Sequence, residues 1–251
     1  MVQLALTFGA VVGVVLSAGY VWWEVGRYAA PQVPESRFDE RKEMFAYTAG
    51  LFAGIPLAAV LLLLLAAFPQ GLIGLVAIYL ALLIGLTELG QWLLLRSIYF
   101  GSDGSGPFYA VGFRAGLAGI LILAVVAQAL SAANLSLATL AVALVQSAAL
   151  LALQVTGAIF SLPTRLENAT TRGGPAAGAM VTGFGLFLLT LGPAFGTYGA
   201  VAAAAIVGLV GLLMYRRLAR ATLDRVRPIG QAALKGDDEA SGRSPFGRTD
   251  R

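Results

Sequence analysis

The sequence predicts an all-helical bundle of membrane-spanning segments, seven in number, with the N-terminus outside and the C-terminus in the cytoplasm. Three observations predict it. Of 251 residues, 58% are hydrophobic and only 12% charged, at a mean hydropathy of +0.82, whereas an ordinary soluble domain carries about 25% charge. Seven apolar segments reach or approach the ~20 helical residues that cross a hydrocarbon core of ~30 Å. The charged residues, finally, gather in alternate connections between those segments.

The first span, residues 3 to 23, is longer than a signal-peptide core, has no basic region before it and ends in Tyr20, Trp22 and Trp23 rather than in small residues. It is therefore read as a retained span, and with Tyr28 these aromatics read as an interfacial belt. A connection containing Pro31 and Pro34 leads to the second span, 44 to 67, where Pro56 marks a kink. Pro69 separates it from the third, 71 to 95, and the stretch Gly101 to Pro107 leads into the fourth, 107 to 131. The fifth runs from 136 to 161 and stops before Pro163; the sixth, 175 to 193, is rich in Gly and among the shortest; the seventh is 197 to 215. Residues 1–215 thus form a seven-span transmembrane domain. Residues 216–251 form a basic cytoplasmic helix extension followed, from about Pro228, by a Gly, Ser and Asp-rich tail of disordered composition.

Orientation follows from charge, because Lys and Arg stay on the cytoplasmic side of short loops. Arg27, Arg37, Arg41 and Lys42 follow span one, Arg96 closes span three, Arg165 and Arg172 follow span five, and Arg216, Arg217, Arg220, Arg225 and Arg227 follow span seven. The opposite turns, Phe68 to Gln70, Ala132 to Leu135 and Gly192 to Gly196, carry no charge. Only an odd number of spans keeps this segregation, and such short outer turns leave no folded domain outside the cell. Arg216, Arg217 and Arg220 are expected to meet anionic lipid headgroups, at about 1 kcal/mol each. The net charge of +4 and pI of about 9.6 are thereby explained by topology and not by nucleic acid. Spans one to three and five to seven also share an order of span, charged inner loop, span, short outer turn and span. This is a three-one-three layout with span four as inverter, which residue identity between the halves does not establish.

Ionisable side chains inside a bilayer cost about 2.5 to 3.5 kcal/mol or more at mid-helix and need a partner or a task. Two are counted well inside spans, Glu88 and Arg114, each about 12 Å from the inner end of its helix. Antiparallel neighbours would bring them together as a buried ion pair or a gate, with Gln91 on nearly the same face as Glu88. Gln128, Gln146 and Gln154 offer a polar path for a neutral solute, Gln146 and Gln154 being eight residues apart on one face of span five; the competing reading is interhelical glue. Gly9 with Gly13, Gly50 with Gly54 and Gly112 with Gly116 fit close helix packing within the chain. The Gly-rich stretch Gly101 to Pro107 lacks a Lys and a preceding strand and reads as a connector rather than a phosphate loop. Asn168-Ala169-Thr170 matches a glycosylation acceptor but falls on the inner side.

Absences exclude several classes. There is no Cys and no His, which removes common haem ligation, a typical catalytic zinc and Ser-His or Cys-His hydrolysis. No Asp lies in a span, so a paired intramembrane aspartyl protease is excluded, and Lys42 and Lys235, both outside the spans, offer no retinal Schiff base. The layout resembles that of small sugar facilitators of the PQ-loop type, but Pro31-Gln32 lies in an inner loop and Pro69-Gln70 in an outer turn. That family places such pairs within helices, so the chain is not assigned to it. The expectation is a non-enzymatic protein of the cell membrane, a subunit, scaffold or regulator that meets a cytoplasmic or membrane protein partner and needs no cofactor. A small permease for a neutral or apolar solute is the alternative, and a lipid-acting enzyme using Glu88 or inner-loop carboxylates is a third.

Overall fold

The computed structural model describes residues 2–28, 38–101, 105–132, 137–162, 174–224 and 226, and among these every regular element is a helix. In chain order they are α1 (Val2–Tyr28), α2 (Glu40–Ala67), α3 (Ile73–Arg96), the single turn α4 (Ile98–Gly101), α5 (Gly106–Ala132), α6 (Leu137–Phe160), α7 (Gly174–Leu191) and α8 (Gly196–Thr222), with a 3₁₀ turn, Gly192–Phe195, between α7 and α8. Six of the seven long helices are long and apolar enough to cross a membrane. The chain is a helical membrane bundle. The seventh, α7, has 18 residues, or about 27 Å at 1.5 Å per residue, and falls just short by itself.

The connections between helices are only partly described, and residues 133–136, in the expected outer turn Ala132 to Leu135, lie outside the described residues. The middle of the Gly101 to Pro107 connector (102–104), the Pro31-Gln32 pair with Pro34 and Arg37, Arg165 to Arg172 with the Asn168-Ala169-Thr170 triplet, Arg225, and the tail from Arg227 lie outside the described residues.

The surface is apolar, the reverse of a water-soluble domain, and many of the polar side chains of the helices lie inside an otherwise apolar core. Val15, Phe52, Ile73, Phe184 and Leu209 are exposed, while Ser17, Glu24, Glu43, Thr87, Gln91, Arg114, Ser147, Gln154, Thr156 and Thr182 are buried. A hydrocarbon solvent accounts for this, since only interior positions there offer hydrogen-bond partners.

α5 is the axis of the bundle: α1, α2, α3 and α6 all pack on it. Small residues set the distances. A Cβ at Gly13 would lie 2.1 Å from Gly119 O, one at Gly50 2.0 Å from Phe113 O, and one at Gly116 2.0 Å from Tyr47 O, so backbones touch where side chains would stand. The three glycine pairs are therefore used inside the chain. The same contacts fix direction. Gly9 meets Leu123 and Gly13 meets Gly119, so α1 is antiparallel to α5; Tyr47 meets Gly116 and Gly54 meets Ile120, so α2 is parallel to it. Gly185 packs on Leu153 and Gly178 on Ser161, while Gly208 and Gly211 pack on Ala149 and Ala152. α7 is thus antiparallel to α6, and α8 parallel to it.

Two tight turns at the uncharged end rest on left-handed glycines, Gly71 (φ 68°) between α2 and α3 and Gly196 (φ 76°) at the start of α8. The halves of the chain pack differently. α6 contacts both α7 and α8, whereas α1 lies chiefly against α5, so the three-one-three layout does not correspond to two alike three-helix units.

Two helix ends differ from the sequence expectation, with consequences for the interior. α1 continues past residue 23 to Tyr28, and α2 begins at Glu40, not 44. Asp39 caps α2, its Oδ1 accepting from Arg41 N at 2.9 Å, and Glu40 and Glu43 in the first turn suit the positive end of the helix dipole. Glu24 and Glu43 are consequently helical and fully buried, so the two ionisable residues counted inside the spans become four. The aromatic belt is also revised: Trp22 and Trp23 face outward, but Tyr28 is buried and Tyr20 hydrogen-bonds Tyr215.

Candidate functional site: an arginine cluster beneath an apolar cavity

Arg114 stands two turns into α5 and is completely buried. Its guanidinium is held from three sides. Nε donates to Gln91 Oε1 at 2.6 Å, Nη1 to Gln154 Oε1 at 3.0 Å, and Nη2 to Glu88 Oε1, with a longer contact from Nη2 to Ser161 Oγ at 3.4 Å. α3 supplies Glu88 and Gln91, three residues apart and so on one face; α6 supplies Gln154. Gln91 Nε2 in turn donates to Ala158 O at 3.0 Å, tying α3 to α6 directly. Gly157 leaves room for the cluster, because a Cβ there would lie 2.5 Å from Thr182 Oγ1 and 3.8 Å from Arg114 Nη1. The pairing of Glu88, Arg114 and Gln91 read from the sequence is therefore present, and Gln154 joins it.

The cluster is neutral in sum, one cation against one carboxylate, and it is incompletely satisfied. Glu88 Oε2, Gln154 Nε2 and Thr182 Oγ1 are buried without a hydrogen-bond partner. A buried unpaired polar group costs about 1 to 3 kcal/mol, so three of them around one guanidinium mark a place where water or a polar solute group would be bound favourably.

Toward the uncharged end a cavity of 710 Å³ opens along α5 and α6. The ends of α2, α5 and α7 and the beginnings of α6 and α8 enclose it. Its wall is mainly apolar, with Leu61, Val125, Leu150 and Leu186, and it carries the polar groups Gln128, Thr139, Gln146, Thr190 and Thr197. Gln128 Oε1 is buried with no partner, an acceptor without a donor. Such a concave, mostly apolar chamber with a few placed polar groups is the usual form of a small-molecule site.

The expected polar path is thus split. Gln128 and Gln146 line the cavity, while Gln154, about 12 Å further along α6 than Gln146, is drawn into the Arg114 cluster because the guanidinium needs a third acceptor. Thr190 and Thr197 were not singled out from the sequence as cavity residues; their position flanking the Gly192–Phe195 turn was the available signal. Of the expected headgroup contacts, Arg216 and Arg217 are exposed just beyond Tyr215 on α8; the side chain of Arg220 lies outside the described ones. Thr48 and Thr87 bond only to carbonyls one turn back in their own helices, Met44 O and Leu83 O. Thr156 ties α6 to α8, its Oγ1 donating to Gly211 O at 2.9 Å. No protein-family model matches this chain, no curated protein matches it and no solved structure matches it.

Proposed function

We propose that the protein is a small permease of the cell membrane for a largely apolar, neutral solute bearing a hydrogen-bond donor. It spans the bilayer seven times, with its N-terminus outside and its basic C-terminal extension in the cytoplasm. The observation that carries this is the 710 Å³ cavity with Gln128 and Gln146 in its wall. The apolar wall favours hydrocarbon surface, the orphan acceptor Gln128 Oε1 favours a donor, and the absence of a charged group from that wall disfavours an ion. Arg114, Glu88 and Gln154, deeper in the bundle, form the constriction that a solute must pass or displace.

The orientation is supported by charge, since the cavity lies at the end whose connections carry none, which makes it outward-facing. Arg216 and Arg217 then lie at the inner surface, against anionic headgroups. The test is uptake by sealed proteoliposomes of a panel of radiolabelled neutral solutes of about the cavity's size. Saturable uptake should fall at least tenfold in the double variant Gln128→Leu, Gln146→Leu. Uptake of no solute above that of empty vesicles, or uptake unchanged in this variant, would overturn the reading. The subunit or scaffold reading is the alternative, favoured by the exposed Arg216 and Arg217; co-purification of a stoichiometric partner that is lost when residues 216–251 are removed would select it.

A further inference from the structure

Between the cavity and the arginine cluster three helices repeat one order of residues, polar, leucine, polar. On α6 these are Gln146, Leu150 and Gln154, at four-residue steps; on α7, which runs the other way, they are Thr190, Leu186 and Thr182; on α5, at seven-residue steps, they are Gln128, Leu121 and Arg114. Residues so spaced share a helix face. The first residue of each series lines the cavity, and Leu150 and Leu186 line it too. Both leucines are buried, so they floor the cavity with a layer about one turn, or about 6 Å, deep. Beneath that floor stand Arg114, Gln154 and Thr182, all fully buried.

The polar groups above and below the floor differ in hydrogen-bonding sense. Above it the orphan is an acceptor, Gln128 Oε1, and Thr190 gives its one proton to Leu186 O at 2.7 Å, which leaves its oxygen only able to accept. Below it the orphans of α6 and α7 are able to donate. A guanidinium only donates, so Arg114 Nη1 fixes the Gln154 amide with Oε1 toward itself and leaves the two N–H bonds of Nε2 without an acceptor. Thr182 Oγ1 has no partner either, not even the carbonyl one turn back that Thr190 uses. Its hydroxyl faces α6, since the Cβ position of Gly157 lies 2.5 Å from Thr182 Oγ1 and 3.8 Å from Arg114 Nη1. The third orphan of the cluster, Glu88 Oε2 of α3, is an acceptor.

We infer, resting on the transport reading for the route, that Gln154 and Thr182 form an inner subsite for the solute's hydroxyl group and that the solute is a neutral alcohol. A group that serves both stations must donate above the floor and accept below it. A hydroxyl does both. Ethers, ketones and carboxylates only accept, and an ammonium only donates and would bring a second cation beside Arg114. In the cavity the hydroxyl donates to Gln128 Oε1. Past Leu150 and Leu186 it accepts from Gln154 Nε2 and Thr182 Oγ1, while the hydrocarbon part stays against the two leucines.

Binding is measured on the full chain in lipid nanodiscs, photolabelled with a tritiated octanol that carries a diazirine near its hydroxyl end, with labelled residues mapped by mass spectrometry. Saturable label should fall on the cavity wall and also within a turn of Thr182. Unlabelled octanol should displace it at least tenfold more effectively than the ether of equal length. Thr182→Val deletes no hydrogen bond, so its thermal midpoint should stay at or above that of the wild type, yet its inner label should fall about three- to tenfold, the worth of one neutral hydrogen bond. Label in the cavity should be unchanged in that variant, and Thr182→Ser should keep both. Label confined to the cavity, inner label undiminished by Thr182→Val, or equal displacement by the ether would each overturn the inference, whatever the uptake assay gives. Label at both stations in a protein that carries no solute into vesicles would instead remove the transport reading and leave the inner subsite standing.

Discussion

Replacing Arg114 with Met should unfold the bundle's centre more than any other conservative substitution, and the loss should be recoverable. Met has about the length of the apolar stem of Arg and no charge, so the stem is replaced while the guanidinium is deleted. Three hydrogen bonds disappear, to Gln91, Gln154 and Glu88. Gln91 retains its bond to Ala158 O, but its Oε1 and that of Gln154 are left without donors. Glu88, whose side chain is 10% exposed, becomes a buried carboxylate with no counter-ion. Breaking a buried pair by removing one partner costs about 3 to 5 kcal/mol, and the slight exposure of Glu88 places the expected loss toward the lower part of that range. Removing the charge on the other side as well should restore most of it, so Arg114→Met with Glu88→Met should lie within about 2 kcal/mol of the wild type. A coupling of at least about 2 kcal/mol is therefore expected from the double-mutant cycle. Equilibrium unfolding in mixed micelles, followed by far-ultraviolet circular dichroism, measures it. A single Arg114→Met variant within 1 kcal/mol of the wild type, or strictly additive single losses, would refute the view that this pair organises α3, α5 and α6.

Further outcomes follow from the same geometry. Gly50→Ala and Gly116→Ala, whose Cβ atoms would stand 2.0 Å from backbone oxygens, should each cost roughly 2 to 3 kcal/mol by overpacking in the same unfolding assay. Gly74→Ala, with nothing within 4 Å, should be neutral or stabilising by up to about 1 kcal/mol. Thr156→Val, which deletes the bond from α6 to Gly211 O, should cost about 0.6 to 1.7 kcal/mol. Since the chain has no cysteine, single cysteines at Gly71 and Arg217 can be labelled in intact cells without background. An impermeant maleimide should reach position 71 and not 217; equal labelling of both would overturn the seven-span orientation.

Much of the bundle was legible because its solvent is hydrocarbon. Helices such as α3 and α6 end within a few residues of their expected limits, for a run of apolar residues bounded by Pro and Gly has few other forms available. The meeting of Glu88 with Arg114 was also legible, since depth from a helix end fixes which residues of antiparallel neighbours lie level. Depth does not fix azimuth. That is why Gln154 was placed with Gln146 in one path although the guanidinium claims it. Glu24 and Glu43 were missed for a different reason: each lies one residue beyond an expected span limit, at 23 and 44, where a charged residue is taken for the start of a solvated loop. The spacing of Ser17, Val21, Glu24 and Tyr28, all buried, carries the signal that would have found Glu24, because residues at three- and four-residue steps continue one helix face.

The position of these groups around α5 determines how they act on one another. At about 100° per residue, Arg114 and Gly112 point about 160° apart, so the arginine cluster and Glu43, which packs against Gly112, occupy opposite sides of one helix. Val125, Gln128 and Ala129, which line the cavity, return to within about 60° of the direction of Arg114. Cavity and arginine cluster therefore share a single interface, bounded on the far side by α6. The face toward α1 and α2 is different in kind: Gly116 and Gly119 bring backbones into contact there and Gly112 receives the Glu43 side chain, leaving little freedom to slide. On the transport reading, any rearrangement that opens the Arg114 cluster must accordingly move α3, α6 or α7 against a core of α1, α2 and α5.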